Sequence, residues 1–444
     1  HPYSLYNLAV IYYNGAYVKQ DINKCINYLS LSANQNIDEA QFLLGKIYIE
    51  GIVVRRNVKY GLKYLSLAAN QNHKLAQFYL GIFYMDGLFA PRDLDKSIHF
   101  FELASNQNFS DATYYLGRVY FIMKKDYNKG IKYFKQASDA NNSDAQYTMG
   151  IIYFYGLCVE KEVNKALYYF NLSAVLKNKY SQYFLGCLYN EGKHVNYDLN
   201  KAIYYFSLAA NQNHSESQFC LGCIYINNKN INKALNYFNL AADQNYNKEA
   251  QYCLAILYFE GYYVKRDINK AIHYFKETSS FSNQFSKNNL GIIYKMGDGV
   301  DKNISIAIEY FNEAIKQKND CAAMFNLAHI YFYEEDVELD IDKAISLLIK
   351  SSLLDNNFSF NLLKLALIKK YKNITKLDIE NELKNNGVEN FEKIINEKDF
   401  VISLKKIAKS SLFNFMYDIY RDINLVDDIN YHYMKIDVKN KNNN

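Results

Sequence analysis

The sequence predicts an all-α fold, a right-handed α–α superhelix (solenoid) of helix-turn-helix repeats, and three observations carry that prediction. A phrase built on one small residue, with tyrosine three positions later, returns ten times in 444 residues. Apolar and small residues around each return recur at the 3.6-residue spacing of one helix face. Only 2 prolines stand in the whole chain, so helices run uninterrupted by the residue that removes an N–H and blocks the preceding turn. A chain this long exceeds one ordinary core, whereas stacked repeats that contact mainly their neighbours extend freely.

The phrase reads Leu44-Gly45…Tyr48, Leu80-Gly81…Tyr84, Leu116-Gly117…Tyr120, Met149-Gly150…Tyr153, Leu185-Gly186…Tyr189, Leu221-Gly222…Tyr225 and Leu290-Gly291…Tyr294. Ala9, Ala255 and Ala328 replace the glycine in the other three copies, and the spacings are 36, 36, 36, 33, 36, 36, 33, 36 and 37. Five positions earlier stands Ala or Ser every time, from Ser4 and Ala40 to Ala323. Offsets −5, −1, 0 and +3 from the small residue share one face and define a first helix, A. Its small residues admit a close neighbour.

That neighbour is a second helix, B, with small residues at Cys25, Gly61, Ser97, Gly130, Ala166, Ala202, Ala234, Ala271, Ala307 and Ala344 and an aromatic pair to pack the seam. Four positions before them stand Asp21, Asn57, Asp93, Asp126, Glu162, Asp198, Asn230, Asp267, Asn303 and Asp340. Asp and Asn accept the orphan N–H groups of a helix start, so these are expected N-caps rather than a row of ligands. Asn36, Asn72, Asn108 and Asn213 close helix B, since Asn tolerates the left-handed conformation of a helix stop. His73 and His214, just after that stop, are expected to be solvent-facing loop residues. Both 33-residue steps fall in the A–B loop of the fourth and seventh repeats, where a deletion spares both helices.

Composition excludes several classes. Lys and Arg total 51 against 46 acids, a near-neutral balance without the basic stripe of a nucleic-acid binder. Seven cysteines at irregular spacings read as free thiols, most of them buried, rather than as a disulfide framework or zinc site. No apolar run reaches membrane-spanning length. Membrane association would run through partners or through segments upstream of His1, where the chain opens inside a repeat. Seven Asn-x-Ser/Thr triplets, including those at Asn108, Asn171 and Asn373, match the chance number for this asparagine content and assign no compartment. No phosphate-cradling loop or nucleophile–base set stands out, so no catalytic residue, cofactor or metal is expected.

The unit resembles the Sel-one-like repeat family, a tetratricopeptide-like module. The matching residues include Ala40, Leu44, Gly45, Tyr48, Gly51, Val54, Lys201, Ala202, Tyr205, Phe206, Ala209 and Ala210. The resemblance covers residues 1–354 as ten repeats. It departs in the second loop glycine, kept only at Gly299, and in the inter-repeat glycine, usually Asn here. It implies a protein-interaction scaffold or adaptor, as such families serve in endoplasmic-reticulum-associated degradation, signalling and bacterial–host contact. The alternative it leaves is a permanent structural or regulatory subunit of a larger complex, such as an endoplasmic-reticulum-associated degradation ubiquitin ligase.

Stacking would set the A helices in an inner row on the order of 90 Å long at roughly 8–10 Å per helix. Wheel angles turn offsets −6, −3, +1, +4 and +5 away from helix B into that concavity. The candidate groove residues are the aromatics and Met at −3 and +4, namely Phe42, Phe78, Met85, Tyr114, Phe121, Tyr147, Phe154, Tyr183, Phe219, Tyr252 and Phe259, and the acids Asp86, Asp111, Asp144, Glu216 and Glu249. Two roles are open to the −3 rings, wedges between successive A helices or anchors for a ligand. The acids and the +4 residues are the less easily assigned to stacking. A peptide or protein with apolar anchors and basic charge fits such a groove, and nucleic acid does not. Residues 355–438 are expected to be a helical cap or degenerate repeat, with a helix near Phe360–Lys370 and further segments at 388–397 and 399–421. They close the last apolar face or dock a partner or membrane surface. Residues 439–444 read as a disordered tail.

Overall fold

The computed structural model describes residues 1–371 except 16, 245–246, 262, 280–283, 319, 335–336 and 354–356, together with 381–382 and 385–386. Among these residues it holds twenty-one α-helices, one π-helical turn and no strand. The chain divides into two units, His1–Gln212 and Asn213–Asn444. In the first unit the helices are α1 Pro2–Asn14, α2 Ile22–Asn34, α3 Asp38–Glu50, α4 Val58–Asn70, α5 Lys74–Asp86, α6 Leu94–Ser105, α7 Ser110–Arg118, α8 Tyr127–Asp139, α9 Ser143–Tyr155, α10 Val163–Val175, α11 Lys179–Glu191 and α12 Leu199–Ala210. The second holds α13 Ser215–Asn227, α14 Ile231–Asp243, α15 Lys248–Glu260, α16 Ile268–Ser279, α17 Gln284–Met296, α18 Ile304–Lys318, α19 Cys321–Tyr333, α20 Ile341–Leu353 and α21 Asn357–Lys370. Odd numbers to α19 are the A helices and even numbers to α20 the B helices.

Helix B starts where the sequence places its cap. Asp21, Asn57, Asp93, Asp126, Asp198, Asn230, Asp267, Asn303 and Asp340 each accept the N–H three residues on, at 2.9–3.3 Å. Glu162 is one methylene longer, makes no cap bond and pairs with Lys165 at 2.6 Å instead. The lysine of that first turn does a second job. Lys24, Lys96, Lys129, Lys165, Lys201, Lys233, Lys270 and Lys343 lie 4.8–5.3 Å from the ring centre of the helix-A tyrosine, within cation–π range. That tyrosine stacks on the first aromatic of helix B, as Tyr153 does on Tyr169 at 5.8 Å.

The seam is closed by a phenylalanine of helix B on the small residue of helix A. A Cβ on Gly81, Gly117, Gly150, Gly186, Gly222 or Gly291 would meet the opposing ring at 2.5–2.6 Å. Helix B ends as expected, with Asn36, Asn72, Asn108 and Asn213 at φ 67, 63, 58 and 56.

The shortened fourth repeat absorbs its deletion by a π-helical turn over Val119–Met123, and Lys125 at φ 55 makes the left-handed step. The turn presses Phe121 onto helix B so closely that a Cβ on Gly130 would lie 2.9 Å from its N and Cα. In the seventh repeat α13 stays α-helical and Lys229 takes φ 57.

His73 and His214 correct the expectation of solvent-facing loop residues. Their Nδ1 atoms accept the N–H of Ala76 and Ser217, both at 3.2 Å, so they are N-caps of helix A, and His214 is buried. Of the C-terminal expectations, a helix does span Asn357–Lys370, with Leu362, Leu363, Ala366 and Leu367 packed among Phe325, Phe332, Ile345 and Leu348. Segments 388–397, 399–421 and 439–444 lie outside the described residues.

Candidate partner-binding surface

In the first unit the −3 rings do not point cleanly away from helix B. Phe78, Tyr114, Tyr147 and Tyr183 pack on Phe101, Phe134, Phe170 and Phe206 of their own repeats, centroids 5.7–6.0 Å apart. A wheel records angle but not length, and a long side chain on a helix sweeps back over the preceding turn. The same rings reach the next repeat, Phe42 to His73 at 4.6 Å, Phe78 to Phe109 at 5.2 Å and Tyr147 to Tyr180 at 6.0 Å. They are wedges, yet Phe42, Phe78, Tyr114, Tyr147 and Tyr183 all stay half-buried. Burial raises the Tyr114 hydroxyl and pushes that of Tyr147 up to about 12.

The +4 positions diverge. Phe121 is half-buried on its π-turn. Met85 belongs to the core with Ile98 and Phe101. Phe154 is buried too, with Phe184 and His194 both at 5.0 Å. An unbranched +4 side chain lies where two successive A helices meet, so the next repeat covers it.

Asp86, Asp111 and Asp144 are exposed. Two of them carry a stacking role the sequence reading did not give them. Asp111 accepts a bond from Asn142 Nδ2 at 2.7 Å, and Asp144 one from Asn178 Nδ2 at 2.8 Å. Asn142 and Asn178 are the N-caps of α9 and α11, so each acid orients the cap of the following repeat. Desolvation and then the charge of Asp144 hold the Asp111 carboxyl above its usual range.

A buried glutamine at offset −4 escaped the sequence reading altogether. Gln41, Gln77, Gln146 and Gln182 donate to the carbonyls of Ala33, Ala69, Ser138 and Ala174, at the end of the preceding helix B, at 3.0–3.2 Å. Gln71, Gln107 and Gln212 in turn donate to Gln41, Gln77 and Gln182, each at 2.8 Å. These amides satisfy orphan carbonyls of a helix end and tie one repeat to the next. The recurrence of Gln at −4 and in the phrase Asn-Gln-Asn was the available signal.

In the second unit Phe219 and Tyr252 lie in one core with Cys223 and Cys253. Glu216 is exposed, 3.5 Å from the His214 ring, while Glu249 and Phe259 are half-buried. Where other repeats carry rings, α17 carries Asn288 and Lys295, and each meets a polar side chain of α19. Asn326 donates to Asn288 at 3.0 Å, and Lys295 Nζ lies 2.9 Å from His329 Nδ1. Four of the seven cysteines, Cys25, Cys220, Cys223 and Cys253, are buried. Among the described residues no three His, Cys, Asp or Glu gather where they could hold a metal ion, and no helix is long and apolar enough to cross a membrane.

The family model described as Sel1 repeat matches residues 2–37, 38–73, 74–109, 110–142, 143–176, 179–214, 228–246, 248–279, 285–319 and 321–356. The chain belongs to the Sel1 repeat family. Its repeats are those of a fold that typically serves as a protein-interaction scaffold. Among solved structures it is similar to a protective antigen of uropathogenic Escherichia coli displaying an SLR fold. That likeness has 22% identity and a TM-score of 0.60 over 93% of this chain and 88% of the antigen, and it is a likeness of fold. A Sel1 repeat protein from Oxalobacter formigenes matches with 25% identity and a TM-score of 0.44, over 63% of this chain and 98% of that one. No curated protein sequence matches the chain.

Proposed function

We propose that the protein is a non-catalytic interaction scaffold whose first unit holds a peptide or protein segment along its A helices. The observation that carries this reading is the line of half-buried rings at one repeat offset, Phe42, Phe78, Tyr114, Tyr147 and Tyr183, each with part of its surface in solvent. Rings fixed on one side by Phe101, Phe134, Phe170 and Phe206 lose little freedom on binding, which favours affinity. Beside them the exposed carboxylates Asp86, Asp111 and Asp144 set a negative field. The raised Asp111 carboxyl, pushed further by its like-charged neighbour, supports that sign. The complementary ligand carries apolar anchors and Lys or Arg.

Selection from a random peptide library against the intact protein tests this reading. Enriched peptides should pair aromatic or aliphatic anchors with basic residues. Replacing Asp86, Asp111 and Asp144 by Asn removes charge while keeping an acceptor for Asn142 and Asn178. It should weaken those peptides by about tenfold or more at low salt and flatten their salt dependence. Unbiased peptides, or affinity indifferent to the triple replacement, would rule the reading out.

A further inference from the structure

The A–B loops of the first four repeats carry apolar side chains that helix packing does not use. Helices A and B alternate through the first unit, so these loops share one edge, and neighbouring loops touch there, the Arg56 guanidinium lying 5.9 Å from the Phe89 ring centre. Tyr17, Ile52, Leu88 and Ile122 stand on this edge at 99%, 81%, 70% and 58% exposure. The fold does not require them. Directly after the loop glycine, the place of Ile52 and Leu88, the sixth repeat carries Lys193. Tyr17 sits at φ 68, in the left-handed region that the ninth repeat fills with Gly299, so a bulky residue bears strain there without gaining packing. The same loops are cationic. Residues 15–21, 51–57, 87–93 and 122–126 hold six Lys or Arg against three acids. Those acids, Asp21, Asp93 and Asp126, are turned back onto helix N–H groups at 2.9–3.1 Å. Lys124 pairs with Asp95 at 2.7 Å, while Lys19, Arg55, Arg56, Arg92 and Lys125 are exposed. Loop chemistry does not dictate that sign, since the tenth A–B loop, residues 334–340, carries five acids and no cation.

We propose that this edge docks on an anionic membrane surface. A bilayer interface takes apolar side chains about 5–10 Å deep, beneath headgroup phosphates that attract Lys and Arg. Long cationic side chains reach back to those phosphates from beside an inserted tip. A protein partner asks instead for a contiguous, well-packed centre, whereas here the apolar residues come one per repeat with cations between them. Each tip and each charge is weak alone, and four adjacent repeats add them on one surface. Among the described residues no helix is long and apolar enough to cross a membrane, so the contact is peripheral. It gives the chain itself a membrane contact that the sequence reading assigned only to partners or upstream segments. It does not depend on the rings of the A helices binding a peptide.

Two measurements on the full chain test it. The protein should sediment with vesicles of phosphatidylcholine mixed with phosphatidylserine, far less with phosphatidylcholine alone, and should be released as salt rises. Ile52→Ser with Leu88→Ser, and separately Arg55→Gln with Arg92→Gln, should each weaken that binding by about tenfold or more. The arginine pair should also flatten the salt dependence. All four side chains are exposed, so urea midpoints should stay at the parent value. No binding to the mixed vesicles, equal binding to the neutral ones, or binding indifferent to both pairs overturns the inference. So does capture of an acidic protein, lost in both pairs, by a chain that ignores vesicles, which would make the edge a protein surface. The second measurement reads depth. The chain has no tryptophan, so Leu88→Trp reports from the tip alone. Its emission should shift to the blue on mixed vesicles and be quenched by brominated acyl chains. Tyr204→Trp, at a site exposed on α12, should show neither effect. Unchanged emission at position 88, or equal quenching at position 204, overturns the inference.

Discussion

At Gly222 an added methyl group would need space that the Phe238 ring already fills, with ring atoms 2.5 Å from the new carbon. Two effects oppose each other there. Alanine is the better helix former by about 1 kcal/mol, while overpacking a finished core costs about 1–3 kcal/mol. The eighth repeat carries Ala255 opposite Phe275, both buried, so a seam can be spaced for a methyl group, but the seventh is spaced for hydrogen. Gly222→Ala is expected to destabilise by up to about 2 kcal/mol net, read as a lower midpoint in urea, and a stabilised variant would contradict the seam geometry. This site was legible before any coordinates, because glycine recurring on an apolar helix face means close approach. The direction of Phe42 or Tyr147 was not. Their angle follows from the 3.6 period, but whether a ring folds onto helix B or out to solvent depends on neighbours that periodicity does not rank. Met85 and Phe154 fail as surface residues for the same reason.

Single elements show how local chemistry sets boundaries. Nine helix-B caps use Asp or Asn, and Glu162 alone leaves the N–H groups of its helix without a side-chain cap bond. Glu162→Asp shortens the side chain to the reach of its neighbours and keeps the charge that pairs with Lys165. It is expected to stabilise the protein by about 0.5–1 kcal/mol. The check is a denaturation midpoint beside that of Asp198→Ala, which should lose about 1 kcal/mol. Equal midpoints for Glu162→Asp and the parent would show that the ion pair already does the cap's work. Caps and stops were readable because each rests on a few neighbouring residues. The π-turn of the fourth repeat was not. The deletion is visible in the sequence, but Phe121 pressed onto Gly130 is one of several ways to close a short loop. The glutamine ladder needed a partner in the preceding repeat, which a reading confined to one unit does not supply.

Across the molecule, stability accumulates from contacts between neighbouring repeats, and one contact of the second unit carries buried charge. Lys295, 7% exposed, places its amine 2.9 Å from His329 Nδ1, while Lys302 and Glu334 pair nearby at 2.9 Å. Burial pushes the Lys295 amine down to about 8, and burial with the Lys295 charge pushes His329 down to about 3. Both shifts lie below the unfolded values, so the unfolded chain holds more protons in each window and stability rises with pH there. For His329 the window runs from about 3 to 6.5, and acidification through it should cost up to about 1.4 kcal/mol per pH unit. For Lys295 it runs from about 8 to 10.5, so at neutral pH the lysine already carries its full penalty. Lys295→Met should therefore raise stability at pH 7 by about 1–3 kcal/mol, and His329→Leu should flatten the fall between pH 6.5 and 4. Urea midpoints of the three proteins at pH 7, 5.5 and 4 check both expectations. Parallel pH slopes in parent and His329→Leu would remove His329 as the source of the acid sensitivity, because the B-helix caps Asp93, Asp198 and Asp340, whose carboxyls are held below their usual range by backbone N–H groups and a neighbouring lysine, lose their contribution only as pH falls below the ordinary carboxylate value and through that lower range.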